Sequence, residues 1–422
     1  MRRSTLLIVV ILVVAGLSCI TWVGAGTAAV RESLGGQTVV LPPGPHLRVP
    51  LYHRVYRYDS APFTLDEPLQ IVTRDQATFK LPVRIVARVS PGDVMTFHAG
   101  RSGRDTATYL EETVRGSILA AARTRTSDDI LLPAAAAALG QQVSSDLITR
   151  GISDGGLQVG TPGPQVVLNV VTDNLRRQYP ATARKLAEAS LKADPHQPLY
   201  HVALGSVLEA EGNAAGAEAQ YLEGLYLDPT AVEPMSRLFV LYMRRGDAPT
   251  IGRLERLLVA SLEKKKDSPV HHDWLGQVYM RMGQGDKAEQ AFTTAVNLSP
   301  KTPEFRVSLG TLRVQQRRYD DARAAYEEAL KLKPDHPLAL YNLGVVCAIQ
   351  NKIDEAIGFF EKAAAAAPPS VALLNSMAQA YEQKGDMGRA AEALRRSLKE
   401  RPDQPDRVAT LHRIEAGLRK KP

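Results

Sequence analysis

Apolar and polar positions in the C-terminal half alternate with a helical period, and the same arrangement returns every 34 residues. Prolines mark this spacing in two sets, namely Pro195 and Pro229, and then Pro300, Pro334, Pro368 and Pro402. The phase slips by three residues between the sets, where Lys264-Lys265-Lys266 could form an insertion. A helical pair of this size cannot bury its own apolar face, so the strict period predicts stacked helical hairpins.

The interior of each period carries a recurring set of residues. One unit has Trp274-Leu275-Gly276, Tyr279, Gly283, Ala288, Phe292, Ala295 and Pro300, and neighbouring units repeat this pattern. The pattern resembles the tetratricopeptide repeat. The resemblance covers residues 172–402 and implies an all-α superhelix that binds other proteins. Residues 230–263 form a degenerate unit, in which Glu255 replaces the expected aromatic residue. A polar helix over residues 407–418 is expected to cap the array.

The first helix of each repeat is expected to line an inner groove. Leu338, Tyr341, Val345 and Ile349 share one helical face, which favours an amphipathic or extended apolar peptide, although packing between helices explains them equally well. Gln277 and Arg281, with Gln379 and Glu382, make the flanking surfaces polar. The lysine-and-asparagine clamp of chaperone-type repeats is not evident, which argues against ligands held by a terminal carboxylate.

The middle of the chain has a different pattern, of strands followed by helices. Residues 79–89 alternate apolar and mostly polar positions, which predicts a strand with one buried face. Asp105 is placed to cap a helix that ends near Arg123, and Ser127-Asp128-Asp129 to cap a second helix over residues 134–149. Gly151 ends that helix, and residues 166–171 are expected to form a last strand. The predicted class of this region is α+β.

Several segments of this middle region follow one another in a distinctive order. They are Pro43-Gly44-Pro45-His46, Val49-Pro50, Val72-Thr73-Arg74-Asp75, the helix containing Arg115, Thr126-Ser127-Asp128-Asp129-Ile130-Leu131, and Gly151-Ile152. Their order and spacing give the region a resemblance to the prohibitin/stomatin/flotillin (SPFH) domain. It implies a membrane-bound scaffold that oligomerises laterally and often controls membrane proteases or other complexes. Such proteins usually continue into a long coiled coil, whereas repeats follow almost at once here. A generic membrane-proximal α+β domain is the alternative.

An apolar run over residues 6–23 opens the chain. Its length matches the hydrocarbon thickness of a bilayer, with Trp22 placed at the far interface. Arg2 and Arg3 precede the run, and the positive-inside rule then keeps the N-terminus in the cytoplasm and sends the bulk of the chain across the membrane. An uncleaved anchor is favoured. Cleavage after Ala25 and a lipoprotein site at Cys19 are the two alternatives.

Composition adds little to this picture. The net charge of +7 is spread along the chain without basic segments that carry interleaved aromatic residues, so nucleic-acid binding is not expected. The only cysteines, Cys19 and Cys347, lie in separate segments and imply no disulfide framework.

No pattern of catalytic chemistry stands out in the sequence. It contains no phosphate-binding loop, no HExxH helix and no paired CxxC. His271-His272-Asp273 suggests metal ligands, but consecutive helical positions point about 100° apart, so a solvated helix start is the simpler interpretation. Asp128-Asp129 is explained by helix capping. We expect no catalytic residues, cofactor or metal.

Together these patterns predict a multidomain chain with one transmembrane helix (or signal sequence) over residues 1–25. An SPFH-like α+β domain follows over 26–171, then an all-α superhelix of tetratricopeptide repeats over 172–402, and a capping helix and tail over 403–422. The expected function is a membrane-anchored scaffold that binds proteins through its repeats, oligomerises through its middle domain and regulates a membrane protease or envelope complex. The alternative is a monomeric tethered adaptor whose middle domain is a spacer.

Overall fold

A computed structural model describes residues 20–25, 27–48, 52–59, 61–160 and 163–419. Most of the expected membrane anchor and the Val49-Pro50 segment lie outside the described residues. Within the described residues, no helix combines the length and apolar character that crossing a bilayer needs. The chain divides into two compact units, Met1–Leu227 and Asp228–Pro422.

The first unit begins with two small antiparallel sheets. Strand β1 (Ile20–Val23) pairs with β4 (Gly44–Leu47), and β2 (Thr27–Ser33) lies between β3 (Thr38–Leu41) and β5 (His53–Asp59). The predicted helix therefore does not continue to residue 23. Thr21 and Val23 are buried while Ile20 and Trp22 are exposed, and this two-residue period fits a strand rather than a membrane-spanning helix.

A larger sheet forms the core of this unit. Strand β6 (Phe63–Val72) pairs along its whole length with β7 (Thr78–Val89), and β8 (Ile152–Asp154) and β9 (Gln158–Val159) pair with the other edge of β7. The predicted alternation in β7 is confirmed, since every apolar residue at the odd positions from Phe79 to Val89 is buried.

Four helices connect β7 to β8, and they are α1 (Val94–Arg101), α2 (Thr106–Arg123), α3 (Asp128–Leu131) and α4 (Pro133–Thr149). Asp105 caps α2 as predicted, because its Oδ2 accepts a hydrogen bond from Thr108 N at 3.1 Å. The apolar stripe of α2 packs against β6, β7 and α4. Gly151 follows α4 with φ +74, and its hydrogen lies against the backbone of α1, where a Cβ would be 2.6 Å from Asp93 O.

The strand predicted over residues 166–171 is wrong, because this segment belongs to helix α5 (Pro164–Arg176). A short apolar run fits a buried strand and a buried helix equally well. Val167, Leu168, Val171 and Asn174 are buried at helical spacing, and Pro164 occupies the first turn, where its missing N–H does no harm. Helix α5 pairs with α6 (Pro180–Ala193), and α7 (Pro198–Ala210) pairs with α8 (Ala214–Leu227).

The second unit is all-helical and consists of stacked antiparallel pairs. These pairs are α9 (Val232–Arg245) with α10 (Ala248–Lys264), α11 (Pro269–Arg281) with α12 (Gly285–Leu298), α13 (Pro303–Gln315) with α14 (Tyr319–Leu332), α15 (Pro337–Ile349) with α16 (Ile353–Ala366), and α17 (Val371–Lys384) with α18 (Met387–Glu400). Helix α19 (Pro405–Arg419) follows where a capping helix was predicted, and it buries Ile414.

A glycine facing an aromatic ring sets the distance between the two helices of most pairs. A Cβ at Gly276 would lie 2.6 Å from the ring of Phe292, and a Cβ at Gly310 would lie 2.6 Å from the ring of Tyr326. The glycine and the aromatic residue are 16 positions apart in both pairs. The degenerate pair carries Phe239 and Glu255 at these positions, and Phe239 stacks instead on Trp274 of the next pair at 5.4 Å.

Candidate peptide-binding groove of the repeat array

The first helices of consecutive pairs in the second unit lie side by side. Helix α11 contacts α13, α13 contacts α15, and α15 contacts α17. Each of these helices is held against its own second helix by the close glycine or alanine contact, so their other faces form one continuous surface. We call this surface of α11, α13, α15 and α17 the groove.

The four apolar residues predicted for the groove share one face of α15. Leu338 and Ile349 are 52% and 49% exposed, whereas Tyr341 and Val345 are half-buried. The Tyr341 ring lies 5.9 Å from that of Phe360, and its hydroxyl is 3.5 Å from Ser376 Oγ on α17. The two ends of this face are thus open, and its centre packs against neighbouring residues.

A cavity of about 230 Å³ with both apolar and polar lining lies between α15 and α17. Its lining is Phe360, with Val345, Ala348 and Ile349 of α15 and Ser376, Gln379, Ala380 and Gln383 of α17. The sequence analysis placed Glu382 with Gln379 on the polar flank of the groove, but Glu382 does not line this cavity. It accepts a hydrogen bond from Arg413 of α19 at 2.5 Å. Two of the predicted groove residues therefore line this cavity, with uncharged amides at its polar wall.

A second cavity of about 300 Å³ lies between α11, α13 and the start of α15. Its lining combines apolar and polar side chains, namely Met280, Phe292, Val307 and Leu338 with Asp273, Gln277, Glu304, Ser308, Thr311 and His336. The predicted residues Gln277 and Leu338 belong to it. Arg281 lines neither cavity, and a Cβ at Gly246, the left-handed residue that ends α9, would lie 2.6 Å from its Nη2.

Asp273, which the sequence analysis assigned to a solvated helix start, is a buried polar residue of this cavity. It is only 8% exposed, and its Oδ2 accepts a hydrogen bond from Gln277 Nε2 at 2.8 Å. Burial raises the pKa of the Asp273 carboxyl, and contacts with Ser308 and Gln277 act in the opposite direction. Its position four residues before Gln277 places both on one helical face, but the sequence does not indicate that this face is buried.

His271 also differs from the predicted solvated helix start. It is fully buried, and its Nδ1 lies 2.8 Å from Ser261 Oγ on α10. Burial, with smaller contributions from Lys265 and His272, lowers the pKa of His271 to about 4. The solvated interpretation fails because α10 covers one side of α11 and α13 the other, so that only His272 stays partly exposed.

The capping role predicted for Ser127-Asp128-Asp129 at the helix over residues 134–149 is wrong, because α4 begins after Leu132 and these three residues lie at the start of α3. Ser127 makes no capping hydrogen bond to α3, and its hydroxyl donates to Asp75 Oδ2 at 2.6 Å. Asp128 Oδ2 pairs with Lys185 Nζ of α6 at 2.5 Å, and Asp129 accepts from Thr126 Oγ1 at 2.7 Å.

Among the described residues there is no cluster of three or more His, Cys, Asp or Glu side chains that could hold a metal ion.

Comparison with known families agrees with both resemblances. Residues 21–189 match the SPFH domain / Band 7 family. Tetratricopeptide repeat models match residues 172–232, 272–302, 307–371 and 348–413.

Among curated proteins, tetratricopeptide repeat protein 7A of Homo sapiens is 26% identical over 162 residues, which is 37% of this chain and 18% of that protein. The chain thus matches less than a fifth of the length of that relative.

Two solved structures are similar over much of the chain. A tetratricopeptide repeat protein from Parabacteroides merdae is 15% identical, with 60% of this chain and 98% of that chain covered and a TM-score of 0.47. The Cut9-Hcn1 hetero-tetramer of the APC/C is 12% identical, with 76% of this chain and 68% of that chain covered and a TM-score of 0.47.

Proposed function

We propose that this chain, in which an SPFH/Band 7 domain precedes tetratricopeptide repeats, is a membrane-associated scaffold that binds protein partners through its repeat groove. The observation that carries this proposal is the groove itself, whose two cavities differ in chemistry and open beside exposed apolar residues of α15. Concave, mostly apolar sites with a few placed polar groups are typical of peptide recognition.

The first strand supports a position at a membrane surface. Ile20 and Trp22 point outward from β1, Leu47 is opposite Ile20 in β4, and all three are exposed, Trp22 to 66%. An indole on an apolar ribbon suits the interface between lipid and water. The apolar run that precedes β1 and the arginines before it remain the basis for proposing an N-terminal anchor, with the bulk of the chain on the extracytoplasmic side.

The SPFH domain is the basis for proposing lateral assembly. Copies of the chain held side by side would present several repeat grooves at one membrane patch, and linked weak sites bind with an avidity above that of one groove. Control of a membrane protease or envelope complex would follow from recruiting it to such a patch.

A monomeric tethered adaptor is the second candidate, and the length of α5 favours it. This helix spans only 13 residues before α6 begins, so the described part of the chain has no long helix between the SPFH domain and the repeats. Light scattering of the detergent-solubilised full chain separates the two candidates. A mass of several chains is expected for the scaffold, and a single-chain mass would leave only the adaptor.

Partner capture tests the proposed function. The full chain and a truncation to residues 1–227 would be tagged and recovered from membranes by affinity purification. The cut is placed at the end of the first compact unit, because α5 and α6 are attached to the α+β domain. Asn174 Nδ2 donates to Ser127 Oγ (2.9 Å), Arg177 Nη1 donates to Gln76 O (2.7 Å), and Lys185 pairs with Asp128. Partners recovered only by the full chain are expected. The proposal fails if both recover the same proteins.

A further inference from the structure

The cavity between α11, α13 and α15 has an acidic end and an apolar end. Asp273 on α11 and Glu304 on α13 supply carboxylates, and Leu338 at the start of α15 supplies an exposed apolar rim. Gln277, Ser308 and Thr311 add polar groups between them. The lining, all of which belongs to described residues, includes no lysine or arginine.

Asp273 lacks the bonding that a buried carboxylate needs. Gln277 satisfies Oδ2, but Oδ1 is enclosed and has no hydrogen-bond partner in the described chain, although the Ser308 hydroxyl is close enough to influence the carboxyl. An unsatisfied buried acceptor is costly, and a charged one more so. A cation in the cavity would offset part of that cost through its charge.

The one basic side chain in the lining of this cavity is already engaged. His336 Nδ1 accepts a hydrogen bond from Ala339 N at 3.2 Å and caps α15, while its Nε2 lies 3.5 Å from Glu304 Oε1. His336 therefore faces Glu304 rather than Asp273. The charge complementarity of the cavity favours a cation over an anion, because two carboxylates face it and the lining supplies only this one basic side chain.

We propose that this cavity, as part of the groove function proposed above, binds the lysine or arginine side chain of an extended partner peptide, whose adjacent apolar side chain packs on Leu338. The cationic group pairs with the Asp273 carboxylate and is flanked by Glu304. The apolar part of the peptide continues along α15 toward Ile349. The partner is thus a segment in which a basic residue stands beside apolar ones.

Selection from a phage-displayed library of nine-residue peptides on the full chain tests this inference. Enrichment of peptides with lysine or arginine beside leucine-like residues is expected. The same selection on Asp273→Asn should lose the preference for a basic residue. Asp403→Asn is the matched control, because Asp403 is exposed between α18 and α19 and lines neither cavity.

A double-mutant cycle locates the cation. An enriched peptide and its lysine-to-glutamine version would be titrated against the full chain and Asp273→Asn. Loss of the charged contact should weaken the parent peptide about 10- to 100-fold, and the two changes should not be additive. Glu304→Gln, at the exposed rim, should cause a smaller loss. A cooperative melting transition of Asp273→Asn, at or above the temperature of the unsubstituted chain, establishes that the variant is folded.

The outcomes separate the inference from the function on which it rests. Enriched peptides without a basic residue, or additive losses in the cycle, would overturn the cationic site while leaving the groove as a binding surface. If no peptide is enriched on the full chain, both the inference and the proposed function fail.

Discussion

Glycines at the centre of the first helices decide how closely each repeat packs. At Gly344 a Cβ would lie 2.5 Å from the ring of Phe360, which is nearer than real carbon contacts allow. The ring is fully buried, so it cannot move aside into solvent. Overpacking of this kind disturbs the helix pair and, through stacking, the neighbouring repeats.

Two glycine-to-alanine variants of the repeats should have opposite effects. Gly310→Ala places a methyl group against Tyr326 and should lower the free energy of unfolding by about 1–3 kcal/mol. Gly358→Ala, on α16 with no atom within 4 Å of the added carbon, should raise it by up to about 1 kcal/mol through helix propensity. Urea denaturation followed by circular dichroism measures both. Equal destabilisation by the two changes would refute the steric account.

His271 should make the second unit sensitive to acid. Its pKa is about 4 when folded and 6.5 in the reference state, so the unfolded chain binds a proton first as the pH falls. The contribution of His271 to the free energy of unfolding is therefore fully present above pH 6.5. It is lost between pH 6.5 and 4, which lowers the free energy of unfolding by up to about 3 kcal/mol. His271→Gln should be less stable at pH 7 but should have a flatter pH dependence in this window.

Fluorescence of Trp274, whose ring lies 5.4 Å from that of His271, can follow this unfolding in a Trp22→Phe background. Comparing the unsubstituted chain with His271→Gln cancels the contribution of Asp273, because both chains contain it. The raised pKa of Asp273 changes the stability with pH in the direction opposite to that of His271. Identical pH slopes for the histidine and glutamine chains would contradict the assigned burial.

Residue roles were predictable where they follow from spacing, and not where they follow from packing. The glycine, aromatic and proline positions of the repeats recur at fixed intervals, so the sequence alone identifies them. The burial of His271 and Asp273 depends instead on the helices that flank α11, and a local pattern of two histidines and an aspartate contains no information about those neighbours.

Among the elements, the long periodic segments were predicted well and the short apolar ones were not. The alternation in β7 extends over twelve residues and admits one interpretation. Residues 166–171 form a short apolar run that the pattern cannot assign, and their helical state is fixed by burial against the rest of the first unit. In the same way, β1 is a strand because it pairs with β4, a long-range contact that local hydropathy does not report.

Two segments that carry the SPFH resemblance meet in a buried hydrogen-bond network that also holds α5. Ser127 Oγ donates to Asp75 Oδ2 and accepts from Asn174 Nδ2, and Ser127 N donates to Asp75 Oδ1 at 3.0 Å. All three residues are buried. This network ties the turn between β6 and β7 to the start of α3 and the end of α5.

Removing one hydroxyl should loosen α5. Ser127→Ala leaves Asp75 and Asn174 short of a partner and should cost about 2–3 kcal/mol. Hydrogen exchange of the amides in α5 should become faster, because an opening of this helix no longer breaks the bond from Asn174. Ser145→Ala, at an exposed site on α4, is the control and should change exchange little. Unchanged protection of α5 in Ser127→Ala would contradict the role of the network.

The β1–β4 ribbon should lie at the membrane surface. The full chain would be reconstituted into vesicles with lipids that carry a quencher near the headgroup. Trp22, observed in a Trp274→Phe background, should be quenched strongly, since interfacial indoles lie at this depth. Trp274, observed in a Trp22→Phe background, lies in the repeats and should not be quenched strongly. Similar quenching of the two would exclude the ribbon as a membrane contact.

At the scale of the whole molecule, the chain joins two different architectures. The first unit contains the SPFH domain together with α5 to α8, and the second unit contains the groove. Both architectures were predictable, because each has a sequence pattern that is independent of the other. The bonds of α5 and α6 to the α+β domain were not, since Asn174 and Lys185 have no distinctive pattern and act through residues far away in sequence.

Site-specific photo-crosslinking in membranes tests most directly whether the groove is the working surface. A photoreactive residue would replace Ile349, in the groove, or Leu298, which is 42% exposed on the second helix α12. The account predicts a defined protein adduct from position 349 and none of the same mass from position 298. An identical adduct from both positions, or none from position 349, would contradict the account.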